Sequence, residues 1–257
     1  MSGSEEEKES SNGEGEGKTV EENGLVYVDY VGRTKEEGEI FDLTLEDVAK
    51  EEGIYNDEER YKPMLVAIGK NWLLPALEEE LVGMKVGESK TVEVPPEDGA
   101  GPRDPDKIKL VSKRQLQKQG VSPRKGARVE VGREKGTITN VLGRRVRVDF
   151  NSPLAGKTLI FDVTVRGIVS GKIEKIKAVM KRRIPGLPED KYGARIEGET
   201  VYIDLPKESR YIENVQYAEI GIARDTLKVI EDAEEVKIVI TYERPEAPKE
   251  EDEENEE

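Results

Sequence analysis

AIGKNWLLPALEEELVGMKVGESKTVEVPPEDGAGP, Ala67 to Pro102, and NSPLAGKTLIFDVTV, Asn151 to Val165, decide the reading of this chain. Both are uncharged enough to line a pocket, and neither supplies a nucleophile, a metal cage or a phosphate loop. Between them lie 48 residues, Pro102 to Asp149, of opposite electrical character. The whole chain has 41 Lys and Arg against 56 Asp and Glu; this segment has 14 against 5, which leaves 27 against 51 elsewhere. A segment of +9 thus interrupts a remainder of −24, and the arrangement predicts one small pocketed domain with a basic insert. The insert's charge reads either as the solvated face of a small barrel or as a site for acidic partners, unfolded clients or ribosomal RNA.

Composition narrows the chemistry. Of 257 residues, 35% are hydrophobic and 38% charged, a mixture compatible with a heat-adapted source. The chain contains no cysteine and no histidine. That excludes disulfides, zinc held by the usual ligands, and nucleophilic catalysis by Ser/His or Cys/His pairs. The opening MSGSEEEKESSNGEGEGK lacks the basic start and apolar core of a signal peptide, and no run has the length to span a bilayer. A cytoplasmic protein without membrane contact is expected.

Along the chain, residues 1–22 and 244–257 read as disordered acidic tails, with nothing to bury. Gly24 to Gly32, GLVYVDYVG, alternates as a strand with Val26, Val28 and Tyr30 on one face. A short helix is expected over Leu43–Lys50, starting near Thr44, and a strand over Met64–Ile68. A second helix follows, with Asn71 as its cap, Pro75 in its first turn, Leu77 and Leu81 as its apolar stripe and Gly83 as its stop. Lys90–Val94 and Lys157–Val165 alternate as strands. In the insert, Ser112–Gln119 reads as a short helix, and Ala127–Val131, Lys135–Leu142 and Arg144–Val148 as three strands broken at Gly132 and Gly143. Beyond Ser170 the order is αββαβ: a helix over Lys172–Arg183, a hairpin over Ala194–Ile196 and Thr200–Leu205, a helix over Ile212–Ile230 and a strand over Glu235–Tyr242. This predicts a compact α+β domain of about 70 residues.

LLPALEEELVGMKVGESKTVEVPPEDGAG, the earlier YVGRTKEEGEIFD and the later NSPLAGKTLIFDVTV together resemble FKBP-type peptidyl-prolyl cis-trans isomerases. The insert after the PPE segment resembles the chaperone flap domain of two-domain members. Ser170 to Tyr242 resembles the extra C-terminal domain of long archaeal members. The resemblance implies an α+β chain, in which an FKBP-like antiparallel sheet wraps on a short helix over 23–101 and 150–169. An inserted β-rich flap would occupy 102–149 and a C-terminal α+β domain 170–243. It also implies an isomerase that needs no cofactor and no metal, which suits a chain without histidine or cysteine.

Carried over by position, the resemblance implies a catalytic pocket of Tyr30, Phe41, Asp42, Leu74, Leu77 and Phe161, with Met64, Leu73 and Ala100 as further substrate-binding residues. Leu77 would be the floor, the three aromatic rings the walls, Leu74 an N–H donor to the substrate carbonyl and Asp42 the polar edge. Taken singly, each apolar residue here would read as core, and Asp42 as a turn or capping residue. Three positions depart from the family pattern. Ala100 stands where relatives carry an aromatic, Ala76 where Pro-Gly is usual, and Ser152 where a histidine commonly precedes PLAG. The first removes a hydroxyl and some cover, worth about 1 to 2 kcal/mol. In the insert, Ile108, Leu110, Val111, Leu116, Val121 and Leu142 divide between its own core and a client surface. The partners implied are unfolded or nascent chains with X-Pro bonds, a ribosome contact through the basic insert, and a second copy of the chain through the C-terminal domain. Two rival readings are a holdase with a weakened pocket and an RNA-binding module built on Arg133, Lys135, Arg144, Arg145 and Arg147. No aromatic interleaves those cations for base stacking.

Overall fold

The computed structural model describes residues 18–242 and residue 244. The tails read over 1–22 and 244–257 therefore fall mostly outside the described residues, but the first boundary needs correcting. Val20 is 2% exposed and joins the core. Its N–H donates to Met84 O, and its carbonyl accepts from Gly83 N, both at 2.8 Å. The segment is held because one apolar side chain is buried while both backbone groups are satisfied. The chain forms two compact units, one centred on Val26–Ile168 and one beginning at Val169. Among the described residues no helix is long and apolar enough to cross a membrane.

The first unit begins with β1 (Leu25–Thr34), β2 (Ile40–Leu43), α1 (Glu46–Glu51), β3 (Met64–Ala67), α2 (Pro75–Leu81) and β4 (Ser89–Val94). The insert follows with β5 (Ile108–Ser112), α3 (Lys113–Lys118), β6 (Arg128–Val131), β7 (Glu134–Leu142) and β8 (Arg145–Asp149), and β9 (Leu159–Val169) returns to the host sheet. That sheet has the order β2-β1-β9-β4, with β3 also on β1. Its two-residue alternation sends Val26, Val28 and Tyr30 from β1, Val92 and Val94 from β4, and Leu159, Phe161, Val163 and Val165 from β9 into one core. Leu77 and Leu81, one helical turn apart on α2, complete it from the other side.

Two helix starts differ from expectation. The helix expected over Leu43–Lys50 from near Thr44 runs instead over Glu46–Glu51 with Leu45 in the cap position, and the Thr44 hydroxyl accepts from Tyr30 N at 2.9 Å and donates to buried Asp29 at 2.8 Å. Asn71 does not cap α2. It has a left-handed φ of 57°, and the helix begins at Pro75 with Leu74 in the cap position. Asn tolerates that backbone better than most residues, so the residue that resembled a cap is a turn.

The insert is a four-stranded antiparallel sheet, β5-β8-β7-β6, where three strands were expected. β5 runs straight into α3 without a Gly or Pro break, so its alternation carries no end mark. Val111, Leu116, Val129, Ile138, Val146 and Val148 form its own core, with Val121 packed alongside. The places where the chain enters and leaves the insert are tied together. Gly156 N donates to Gly101 O at 2.8 Å, Asp104 N to Asn151 Oδ1 at 2.9 Å and Asn151 Nδ2 back to Asp104 O at 2.8 Å. Arg103 and Asp149 form an ion pair across the same neck. Burial works to raise the Asp149 carboxyl, but N–H donors from Asn151 and the Arg103 charge outweigh it and hold the group below its ordinary value.

The second unit contains α4 (Lys172–Arg183), β10 (Gly193–Glu197), β11 (Thr200–Leu205), α5 (Val215–Val229) and β12 (Glu235–Ile240). The expected αββαβ order is present, and the sheet runs β10-β11-β12. β11 and β12 are parallel, with α5 as the crossover. α5 starts later than Ile212 because Lys207–Tyr211 form a 3-10 turn and Asn214 has φ 61°. The two helices are joined by Asp225, 2% exposed, which accepts from Arg182 Nη1 at 3.1 Å and Arg183 Nε at 2.7 Å.

Removing Asp225 leaves two cations facing each other over a buried site. Asp225→Ala is expected to cost about 2 to 3 kcal/mol, less than a fully buried pair because both arginines remain partly exposed. Urea unfolding checks this: the far-ultraviolet transition of the second unit shifts to lower denaturant. Fluorescence of Trp72, the single tryptophan, reads the first unit and keeps its midpoint.

Candidate functional site

A cleft of about 220 Å³ opens in the first unit. β1 supplies Tyr30, β2 supplies Phe41 and Asp42, and β9 supplies Leu159 and Phe161. Leu73, Leu74 and Leu77 come from the start of α2, and Gly99, Ala100 and Leu154 from the loops that flank the insert. Leu77, 1% exposed, is the floor. The rings of Phe41 and Phe161 meet edge to face, with centroids 5.6 Å apart and planes at 84°, while Tyr30 and Phe161 are tilted at 6.2 Å.

Asp42 is the only charged side chain on this lining. Its Oδ2 accepts from the Tyr30 hydroxyl at 2.7 Å. Burial, and then this bond to a carboxylate, push the Tyr30 phenol well above the ordinary tyrosine range. The phenol therefore stays protonated and donating at any physiological pH. The Leu74 N–H, at the first open position of α2, has no acceptor among the described residues. The site can hold an apolar ring, orient one carbonyl and exclude water, and it contains no group placed to form a covalent bond.

Tyr30, Phe41, Asp42, Leu73, Leu74, Leu77, Ala100 and Phe161 thus converge on one cleft. Met64 does not line it. Its partly buried side chain packs against the core from β3, two residues before Val66 and so on the same face of the strand.

Two positions that shape the cleft without being expected are Gly32 and Glu78. A Cβ on Gly32 would lie 2.9 Å from both Phe161 and Phe41, so the missing side chain gives the two rings their seat. A glycine inside a strand marks close approach, and that signal was available in the sequence. Glu78, 2% exposed, turns its carboxylate back to the loop before the helix. It accepts from Asn71 N at 3.2 Å, Trp72 N at 2.5 Å and Leu73 N at 2.8 Å. Hidden in the run Glu78–Glu80, it is nevertheless four residues from Leu74 and three from Leu81, on the apolar face.

The family model described as FKBP-type peptidyl-prolyl cis-trans isomerase matches residues 16–166, and one described as FKBP26_C-terminal matches residues 172–243. A short-type peptidyl-prolyl cis-trans isomerase of Methanocaldococcus jannaschii is 35% identical over 155 residues, 60% of this chain and 98% of its own length. An FKBP-type 16 kDa peptidyl-prolyl cis-trans isomerase of Escherichia coli is 35% identical over 130 residues, 49% of this chain and 85% of the relative. The FKBP-type peptidyl-prolyl cis-trans isomerase SlyD of Treponema pallidum is 32% identical over 118 residues, 44% of this chain and 66% of the relative.

Glu78→Gln replaces one of two accepting oxygens with a donor that faces a donor. Amide exchange at Asn71, Trp72 and Leu73 is expected to quicken by about 10-fold, equivalent to about 1.4 kcal/mol of local stability. Exchange in the β1–β9 pairing should stay unchanged, and NMR resolves both.

Proposed function

This chain belongs to the FKBP-type peptidyl-prolyl cis-trans isomerase family, and on that premise we propose that its apolar cleft binds the proline ring of an X-Pro bond and turns the amide without covalent chemistry. The barrier to overcome is about 20 kcal/mol, set by amide resonance. A planar amide is more polar than a twisted one, so moving it from water into an apolar cleft favours the twisted form. In this reading Tyr30, Phe41 and Phe161 wall the ring, Leu77 underlies it, and Leu73 and Ala100 border it. The Leu74 N–H donates to a substrate carbonyl and fixes its orientation. Asp42 acts by holding the Tyr30 hydroxyl in place. The observation that carries the reading is the convergence of three aromatic rings and Leu77 beside an unbonded backbone donor.

The insert supports a second part of the reading, a folding helper for extended chains in the cytoplasm. Tied at its neck to the rim of the cleft, it would hold a client near the isomerisable bond and raise that bond's effective concentration. Ala100, with no hydroxyl to offer, favours a weaker pocket and keeps the holdase reading open to test.

Refolding of a proline-limited protein separates the readings. Phe41→Ala and Leu77→Ala are each expected to lower kcat/KM by roughly 10- to 100-fold, or about 1.4 to 2.8 kcal/mol. Deleting Pro102–Asp149 should harm protein refolding far more than turnover of a short peptide; equal loss on both contradicts the role given to the insert. A chain that prevents aggregation yet leaves the proline-limited phase untouched is a holdase.

Tyr30 makes a pH prediction. Its folded value is raised, so its contribution is fully present below the unfolded value of about 10 and is lost only as pH rises through the folded one. Phenolate absorbance of the wild type and of Tyr30→Phe should coincide up to about pH 11 and differ by one tyrosine only after unfolding.

A further inference from the structure

The insert has an outward face as well as a core. In the register of β5, β8 and β7, Leu110 lies opposite Arg147 and Arg147 opposite Asn140; Ser112 lies opposite Arg145 and Arg145 opposite Leu142. Directly paired residues point to the same side of a sheet. With Val111, Val146 and Val148 turned inward, these rows form the outer surface. Leu110 is 50% exposed and Leu142 43% exposed. Among the described residues Arg145 and Arg147 form no ion pair, whereas Arg103 is held by Asp149.

At one end this face hollows into a groove of about 470 Å³ lined by Arg103, Pro105, Ile108, Thr139 and Arg147. Arg103 follows Ala100, a wall of the prolyl cleft, by three residues. At about 3.6 Å per extended residue, the chain between them spans at most about 11 Å. Ala100 on the rim of the cleft and Arg103 on the rim of the groove thus lie within reach of one short extended client segment.

Resting on the reading of the cleft as a prolyl site, we propose that the outer face of the insert selects clients with an acidic side chain, Asp or Glu, a few residues from the proline. Arg147 and Arg145 supply guanidinium donors for the carboxylate. Leu110 and Ile108 take the intervening apolar side chains. A solvated face needs neither the exposed leucines beside unpaired cations nor the concavity, and the +9 of the insert has a sign that repels basic clients.

The test uses the full chain and fluorescein-labelled peptides with an Ala-Leu-Pro core and Glu, Gln or Lys four residues from the proline, on either side. Fluorescence anisotropy gives the affinities, and protease-coupled turnover gives isomerisation. The expected result is that at least one Glu peptide binds about 10-fold tighter than its Gln counterpart and the Lys peptide weaker than both, with the preference shrinking at high salt. In Arg145→Gln/Arg147→Gln the Glu preference vanishes while turnover of the Gln peptide is unchanged; Arg147→Lys restores part of it. Equal affinity for Glu and Gln peptides, or a preference that survives the double substitution, overturns the proposal. So does a short single-stranded RNA that binds tighter than the Glu peptide through the same arginines, since the face then reads phosphate. If the wild type fails to turn over the Gln peptide, the prolyl reading of the cleft falls; the affinity ratio and its loss in the double variant still judge the insert.

Discussion

A greasy cleft in the side of a small domain closes on itself unless its walls are braced from behind, because every exposed apolar surface gains by contact with another. Here the brace is double. Gly32 withholds a side chain so that Phe41 and Phe161 can stand edge to face over β1, and the carboxylate of Glu78 gathers three amides that would otherwise leave the entry to α2 loose. The first sets the position of the rings, the second the position of Leu73 and Leu74. Neither residue lines the cleft, and both decide its shape.

The polar content of the site obeys the same economy. Asp42 could point into the cleft as a bare charge, which an apolar lining tolerates poorly. The Tyr30 hydroxyl occupies one of its oxygens, and burial secures the proton that makes the bond. Among the described residues, the Leu74 N–H has no acceptor where the helix begins.

Much of this could be seen in the sequence because it follows from periodicity. The alternation of Val26, Val28 and Tyr30, the spacing of Leu77 and Leu81, and the run Leu159 to Val165 each point to a single buried face, and burying those faces together brings distant segments into one sheet. What could not be seen depended on partners rather than pattern. Asn71 has the composition of a helix cap, yet its conformation answers to Glu78, seven residues on. Val20 sits beside a Gly- and Glu-rich stretch, and its place follows from burial in the core and from backbone bonds with Gly83 and Met84, partners more than 60 residues on. Met64 has the chemistry of a pocket residue, but it shares the face of β3 that Val66 buries in the core. β5 lacked a terminating residue, so nothing local marked it. The charge reversal of the insert was visible; its sorting into an inward valine face and an outward arginine and leucine face required the register.

The tie between Gly101 and Gly156 has a kinetic meaning for the host. Val94 of β4 must find Leu159 of β9 across the entire insert, and closing a detour of that length costs about 3.5 kcal/mol of chain entropy. Once the insert has assembled its own small core, its two ends meet at a hydrogen bond's width, and the detour is already closed. The interruption then acts as a staple: what began as a distant pairing becomes, for the host sheet, little more than a hairpin turn.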